Sequence, residues 1–98
     1  MSVDWNARLY AVTTINDLSQ REDAFRNVAL TASREGEDAF VQSAISNIDD
    51  PELRDDTARL CAVALANNGK YAEAVEIAKT ISDEPLRNDT LTLIAQVT

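Results

Sequence analysis

Histidine is absent from this chain of 98 residues, and cysteine, glycine and proline are scarce, with one, two and two residues. Without histidine and with one thiol, the chain cannot form disulfide frameworks, zinc fingers or the Ser-His and Cys-His pairs of nucleophilic enzymes. So few glycines and prolines argue against a turn-rich β-sandwich or barrel. We therefore expect a helical protein that is not an enzyme and holds no cofactor or metal.

Basic residues are also in the minority. The chain has nine Lys and Arg residues but 17 Asp and Glu residues, which gives a net charge of −8 and a pI near 4.3. Binding to a phosphate backbone or to an anionic membrane surface requires positive charge, so we expect neither nucleic acid nor membrane as a partner. Uncharged runs such as residues 60–69 are far shorter than the ~20 apolar residues of a membrane span. We expect a cytoplasmic protein whose partner is another protein.

A repeat of 33 residues runs along the whole chain. The same residue types recur at this spacing without gaps: Arg21, Arg54 and Arg87; Asp23, Asp56 and Asp89; Ala29, Ala62 and Ala95; and Ile15, Ile48 and Ile81. Such self-similarity is typical of repeat architectures. It predicts one domain, residues 1–98, with repeat units at about 21–53 and 54–86 and partial units at 1–20 and 87–98.

Each unit has the pattern of a helical hairpin. In the unit that follows residue 50, Asp50 is suited to cap a helix whose first position is Pro51, and Gly69 is suited to end it. The same logic predicts a first helix over residues 2–18 and a capping box formed by Ser19 and Glu22. A single hairpin cannot bury its apolar face, whereas stacked hairpins can. The predicted fold is all-α: an α-solenoid of about six antiparallel helices, in three stacked hairpins with a right-handed superhelix.

Aromatic residues and the single cysteine fall within the apolar stripes of these helices. We predict that Trp5, Phe25, Phe40 and Tyr71 belong to the core, as does Cys61, which aligns with Val28 and Ile94.

The segment from Gly69 through Tyr71, Ala74 and Ala78 resembles the second helix of a tetratricopeptide repeat, which has a glycine-aromatic turn and then two small residues four positions apart. The junction Asp50-Pro51-Glu52-Leu53-Arg54 is similar to HEAT repeats, the close alternative. Both families are stacked helical hairpins. The resemblance covers the whole chain and implies a scaffold that binds other proteins.

In these families the first helix of each hairpin lines a concave groove, and that correspondence supplies the candidate partner-binding residues. They form a mixed polar strip: Asp23, Arg26 and Leu30; Asp56, Arg59 and Val63; and Asp89 and Gln96. The repeated pairs Asp17/Arg21, Asp50/Arg54 and Asp83/Arg87 have two interpretations. Either they clamp each turn to the following helix, or the arginines form a ladder for acidic ligands.

Residues 49–56 carry five acids and one arginine. Carboxylates favour the N-terminal end of a helix dipole, so this run is explained as a helix start. It also supports an alternative function, a small acidic inhibitor or antitoxin-like protein that occupies a basic site of a nucleic-acid-handling enzyme. A third hypothesis is a homodimer formed by apolar residues near the two ends, such as Val3, Leu9, Leu91, Ile94 and Val97.

Overall fold

A computed structural model describes residues 3–97, and within that range the chain forms six α-helices and no strand. They are α1 (Trp5–Thr13), α2 (Leu18–Arg34), α3 (Asp38–Ser46), α4 (Pro51–Asn67), α5 (Tyr71–Lys79) and α6 (Glu84–Val97). The short helices α1, α3 and α5 follow one another at steps of 33 residues, and so do the starts of the long helices α2, α4 and α6. The all-α prediction is confirmed.

The long helices begin at equivalent aspartates. The side chain of Asp17 accepts a hydrogen bond from the amide of Gln20 at 2.9 Å. Asp50 and Asp83 accept from amides in the first turns of α4 and α6, each at 3.0 Å. The predicted Ser19–Glu22 capping box is therefore wrong, because Asp17 is the cap and Ser19 already lies inside α2.

The first helix is also shorter than the predicted range 2–18. It ends at Thr13, because the chain turns before Asp17 caps the next helix; residue 2 lies outside the described range. Glycine follows α2 and α4, as expected. Gly36 and Gly69 follow α2 and α4 with φ of +76° and +79°, a left-handed conformation that favours glycine.

The long helices pack in the order α2, α4, α6. Two of the short helices pack mainly on the long helix that precedes them: α3 on α2, and α5 on α4. The Cα atoms extend over 38 × 33 × 13 Å. Between residues 3 and 97, none of the helices combines the length and hydropathy needed to cross a membrane.

The core consists mainly of alanine and branched aliphatic side chains between the two kinds of helix. Trp5 and Phe25 are buried, and the half-buried Phe40 packs against this core and stacks on Trp5, with ring centroids 6.3 Å apart. Tyr71 contradicts the prediction: it remains 39% exposed, although Trp5, at the equivalent first position of α1, is buried.

The prediction that Cys61 is a core residue is confirmed, since its side chain is fully buried. Burial raises the pKa of its thiol to about 11, although a hydrogen bond with Ser33 acts in the opposite direction. The thiol is therefore protonated at neutral pH, and it fills space in the core rather than acting as a nucleophile.

Candidate functional site

The eight candidate partner-binding residues lie on three neighbouring helices and are all exposed or half-buried. We call them the long-helix strip: Asp23, Arg26 and Leu30 on α2, Asp56, Arg59 and Val63 on α4, and Asp89 and Gln96 on α6. Helix α4 packs against both α2 and α6. Because the residues occupy equivalent repeat positions, they lie on the same flank of each helix.

An ion pair joins the first two helices of the strip. The Nη2 atom of Arg26 lies 3.9 Å from Oδ2 of Asp56, with side chains 33% and 55% exposed. The equivalent residues on the next two helices are Arg59 and Asp89, and within the described residues they form no ion pair. The strip therefore contains one arginine that is held by a neighbour and one, Arg59, that is not.

The repeated Asp–Arg pairs hold the turns through backbone groups rather than through direct ion pairs. While the aspartates cap the long helices, Nη1 of Arg21 donates to the carbonyl of Ile15 at 3.0 Å. Arg87 donates to the carbonyl of Ile81 in the same way, at 3.2 Å. Both carbonyls lie just beyond the end of a short helix. The structure thus gives a clamping role to these two arginines, whereas Arg54 makes no such bond within residues 3–97.

Sequence reasoning missed two buried carboxylates that bind the following turn. Glu22 is 8% exposed and Asp55 is 5% exposed. The Oε2 atom of Glu22 accepts hydrogen bonds from the amides of Asp49 and Asp50, at 2.6 and 3.1 Å. These bonds tie the start of α2 to the turn before α4, across 27 and 28 residues of chain.

Asp55 does the same for the next turn with three hydrogen bonds. Its Oδ1 accepts from the amide of Ser82 at 2.9 Å, and its Oδ2 accepts from the Ser82 hydroxyl at 2.7 Å and from the amide of Asp83 at 3.0 Å. Burial on its own would raise the pKa of Asp55, but these hydrogen bonds, with a smaller contribution from Arg54, lower it below its ordinary value. Asp55 is therefore a charged structural acceptor at neutral pH.

A signal for these two residues is present in the sequence. Glu22 and Asp55 are 33 positions apart, and the next equivalent position holds Asn88. All three side chains carry an oxygen that can accept a hydrogen bond. Their residue types differ, however, whereas the positions on either side hold the same residue, arginine or aspartate, in every repeat. Comparing the chemistry of equivalent positions, rather than their identity, would have found the pair.

The acidic run 49–56 lies along a groove between the beginnings of α4 and α6. The groove has a volume of about 910 Å³, and its lining includes five carboxylates: Asp50, Glu52, Asp55, Asp56 and Asp83. Four of the five carboxylates are already engaged by other groups of the chain. Asp50 and Asp83 cap helices, Asp55 binds the next turn, and Asp56 pairs with Arg26. Within the described residues, no group of three or more acidic or sulfur ligands is arranged to hold a metal ion.

Comparison with protein-family models, with curated proteins and with solved structures gives no match. The function must therefore be inferred from the chain's own geometry.

Proposed function

We propose that the chain is a protein-interaction module whose long-helix strip binds a segment of a partner protein. In this proposal the hairpins form a short, right-handed, tetratricopeptide-like α-solenoid, and the strip lies on its concave face. The main support is the packing order α2–α4–α6, which brings equivalent positions of three helices side by side.

The chemistry of the strip indicates what the partner segment carries. Leu30 and Val63 are half-buried and offer aliphatic contacts on adjacent helices. Arg59 offers a guanidinium that no acidic side chain of residues 3–97 neutralises, and Asp23 and Asp89 offer exposed carboxylates. A segment with aliphatic residues and charges of both signs would match this order, and a carboxylate of the partner would lie over Arg59.

Binding accounts for the chain better than catalysis does. Acid–base chemistry would require carboxylates that are free to exchange protons with a substrate. Of the five carboxylates around the one acidic groove, four are already engaged: Asp50 and Asp83 cap helices, Asp55 holds backbone amides and Asp56 pairs with Arg26. We therefore propose that the protein is not an enzyme and that it works without a cofactor.

The test is a capture experiment with four tagged baits: the natural chain, Arg26→Ala, Arg59→Ala and Lys79→Ala. Lys79 is the matched control, because it is an exposed cation on α5, away from the strip, and it pairs locally with Glu76 at 3.5 Å. Retained proteins are quantified by mass spectrometry, and circular dichroism checks that all four baits are equally helical.

We expect one set of proteins to lose recovery with the Arg59→Ala bait by about fivefold or more, which corresponds to the loss of one charge-assisted hydrogen bond. Arg26→Ala should have a smaller effect, because Asp56 already engages Arg26. Recovery that falls equally with Lys79→Ala would show that net charge, rather than the strip, determines binding.

The acidic groove favours a second candidate, an inhibitor that occupies a basic site on a nucleic-acid-handling enzyme. It is supported by the five carboxylates around one cavity of about 910 Å³. Such a partner should be released from the bait at modest salt, because exposed charges are screened at an ionic strength of ~0.15 M. Glu52→Gln should weaken its capture more than Glu76→Gln, because Glu52 lines the groove and Glu76, on α5, does not. A partner that remains bound at high salt favours the strip instead.

A further inference from the structure

Among the helices of residues 3–97, the first and the last each lack one neighbour that the repeat supplies further inside. Inside the chain, each short helix packs most extensively on the long helix before it. Within the described residues, α1 has no long helix before it, and α6 has no short helix after it. The two missing neighbours are repeat equivalents of each other: an α6-like helix would complete α1, and an α1-like helix would complete α6.

The surface of α6 shows what is uncovered there. Ala95 is exposed, although its equivalents Ala29 and Ala62 are completely buried. Four residues earlier, Leu91 is half-buried, whereas its equivalents Phe25 and Ala58 are 1% and 0% exposed. We call the surface formed by Asn88, Leu91 and Ala95 the C-terminal face. The equivalent positions of α2 and α4 are all buried.

At the N-terminal end, α1 exposes a position that is buried in the other two short helices. Ala11 on α1 is exposed, whereas its equivalents Ala44 and Ile77 are 0% and 1% exposed. The turn after α1 carries the amides of Asn16 and Asp17, which make no hydrogen bond within the described residues. We call the surface formed by Arg8, Ala11 and this turn the N-terminal face.

The polar groups of the two faces match as well as the apolar ones. In the interior, Glu22 and Asp55 accept hydrogen bonds from the two amides of the following turn. Asn88 is the third member of that series, and its exposed side chain provides a carbonyl oxygen as acceptor. The amides of Asn16 and Asp17 are the equivalent donors at the other end of the chain.

We propose that the C-terminal face of one copy binds the N-terminal face of a second copy, head to tail. The contact continues the interface that already joins one unit to the next, with Asn88 accepting from the Asn16–Asp17 turn and Ala95 and Leu91 packing near Ala11. Because the two faces differ, the association is heterologous, and it forms open rows of chains rather than a closed twofold dimer. The proposal is independent of the long-helix strip.

Two features set the strength of this contact. Arg8 occupies the position of Val41 and Ala74, which are both completely buried, and its guanidinium carbon lies 4.8 Å from the centre of the Trp5 ring. Covering this charge weakens the contact. Each copy also carries a net charge of −8, so the copies repel each other, and added salt should strengthen association.

The experiment is sedimentation velocity of the full chain over a concentration series up to ~1 mM, at low and at moderate salt. The natural chain should show an average mass that increases with concentration, more steeply at moderate salt. Ala95→Arg and Ala11→Arg should each remain monomeric, and Arg8→Ala should associate with a dissociation constant about tenfold lower. Ala72→Arg is the matched control, because Ala72 and both its equivalents, Asn6 and Ala39, are exposed.

A mixture of the two monomeric variants is decisive. Ala11→Arg retains an intact C-terminal face and Ala95→Arg retains an intact N-terminal face, so an equimolar mixture should form a 1:1 complex that grows no further. A natural chain that remains monomeric throughout overturns the proposal. The proposal is also overturned if the average mass rises no further than that of two chains, or if Ala95→Arg associates as strongly as the natural chain.

Discussion

The junction from α2 to α4 and the junction from α4 to α6 use the same positions with different atoms. In the first, a single oxygen of Glu22 accepts from two amides, and Arg26 pairs with Asp56 across the helices. In the second, the shorter Asp55 uses both oxygens and gains the Ser82 hydroxyl. At both junctions a buried carboxylate accepts from the amides of the following turn, while the length of its side chain and the number of donors differ.

The largest expected effect is the loss of the second acceptor. Asp55→Ala should lower the free energy of unfolding by about 2–3 kcal/mol, because it removes three hydrogen bonds to a charged group and leaves backbone donors without their partner. Glu22→Ala, with two bonds lost, should cost about 1–2 kcal/mol. Urea denaturation followed by circular dichroism measures both.

Glu52→Ala is the control for these substitutions, because Glu52 is exposed and lines the same groove. Its effect should remain within about 0.5 kcal/mol. If Asp55→Ala is no more destabilising than Glu22→Ala, the extra bond from Ser82 contributes nothing, and the two junctions are energetically alike.

The glycines that end α2 and α4 provide a second comparison. Alanine at either position should cost about 1 kcal/mol, because both have positive φ. At Gly36 the added Cβ would also lie 2.8 Å from Nδ2 of Asn68, which donates to the carbonyl of Arg34 at 3.5 Å. At Gly69 nothing lies within 4 Å.

We therefore expect Gly36→Ala to be about 0.5 kcal/mol more destabilising than Gly69→Ala in thermal or urea unfolding, since it displaces an additional hydrogen bond. Asn68→Ala should remove most of this difference, because the displaced donor is then absent. Equal losses in the two glycine variants would indicate that Asn68 moves aside without cost.

Acid should affect the second junction in a specific way. The pKa of Asp55 is lower in the folded chain than its ordinary value of 3.8. Its contribution to stability is therefore present above pH 3.8 and is lost as the pH falls through the lower, folded-state pKa. The stability difference between the natural chain and Asp55→Asn should be constant near neutral pH and should narrow below about pH 3.8.

Urea unfolding at a series of pH values measures this difference, and Glu52→Gln provides a baseline for the loss of a carboxylate that is exposed. A difference that widens as the pH falls would mean that the charge of Asp55 is unfavourable in the folded chain. That result would contradict the hydrogen-bonding account of the junction.

Local chemistry predicted the helices well, because Asp50, Pro51 and Gly69 act on the backbone within a few residues of themselves. Contacts between units could not be predicted in that way. Glu22 reaches amides 27 and 28 residues ahead, so within its own helix it resembled half of a capping box. Tyr71 followed the pattern of an aromatic core residue but is 39% exposed, whereas Trp5 at the equivalent repeat position is buried.

In the long-helix strip, too, the positions of the residues were predictable from the sequence but their side-chain contacts were not. Repeat spacing placed its residues on equivalent flanks of three helices, but it assigned Arg26 and Arg59 the same role. Only the structure shows that Asp56 engages the first and that Asp89 does not engage the second. Such a difference depends on the orientation of two long side chains, which sequence spacing does not determine.

The smallest expected effect concerns this ion pair. A double-mutant cycle of Arg26→Ala and Asp56→Ala should give a coupling energy of no more than about 0.5 kcal/mol, because both side chains are partly exposed and solvent screens their attraction. The matching cycle of Arg59→Ala and Asp89→Ala should give no measurable coupling. A larger coupling in the second cycle would mean that Arg59 is held by Asp89 in solution, and the strip would then lose the free guanidinium on which its proposed partner binding depends.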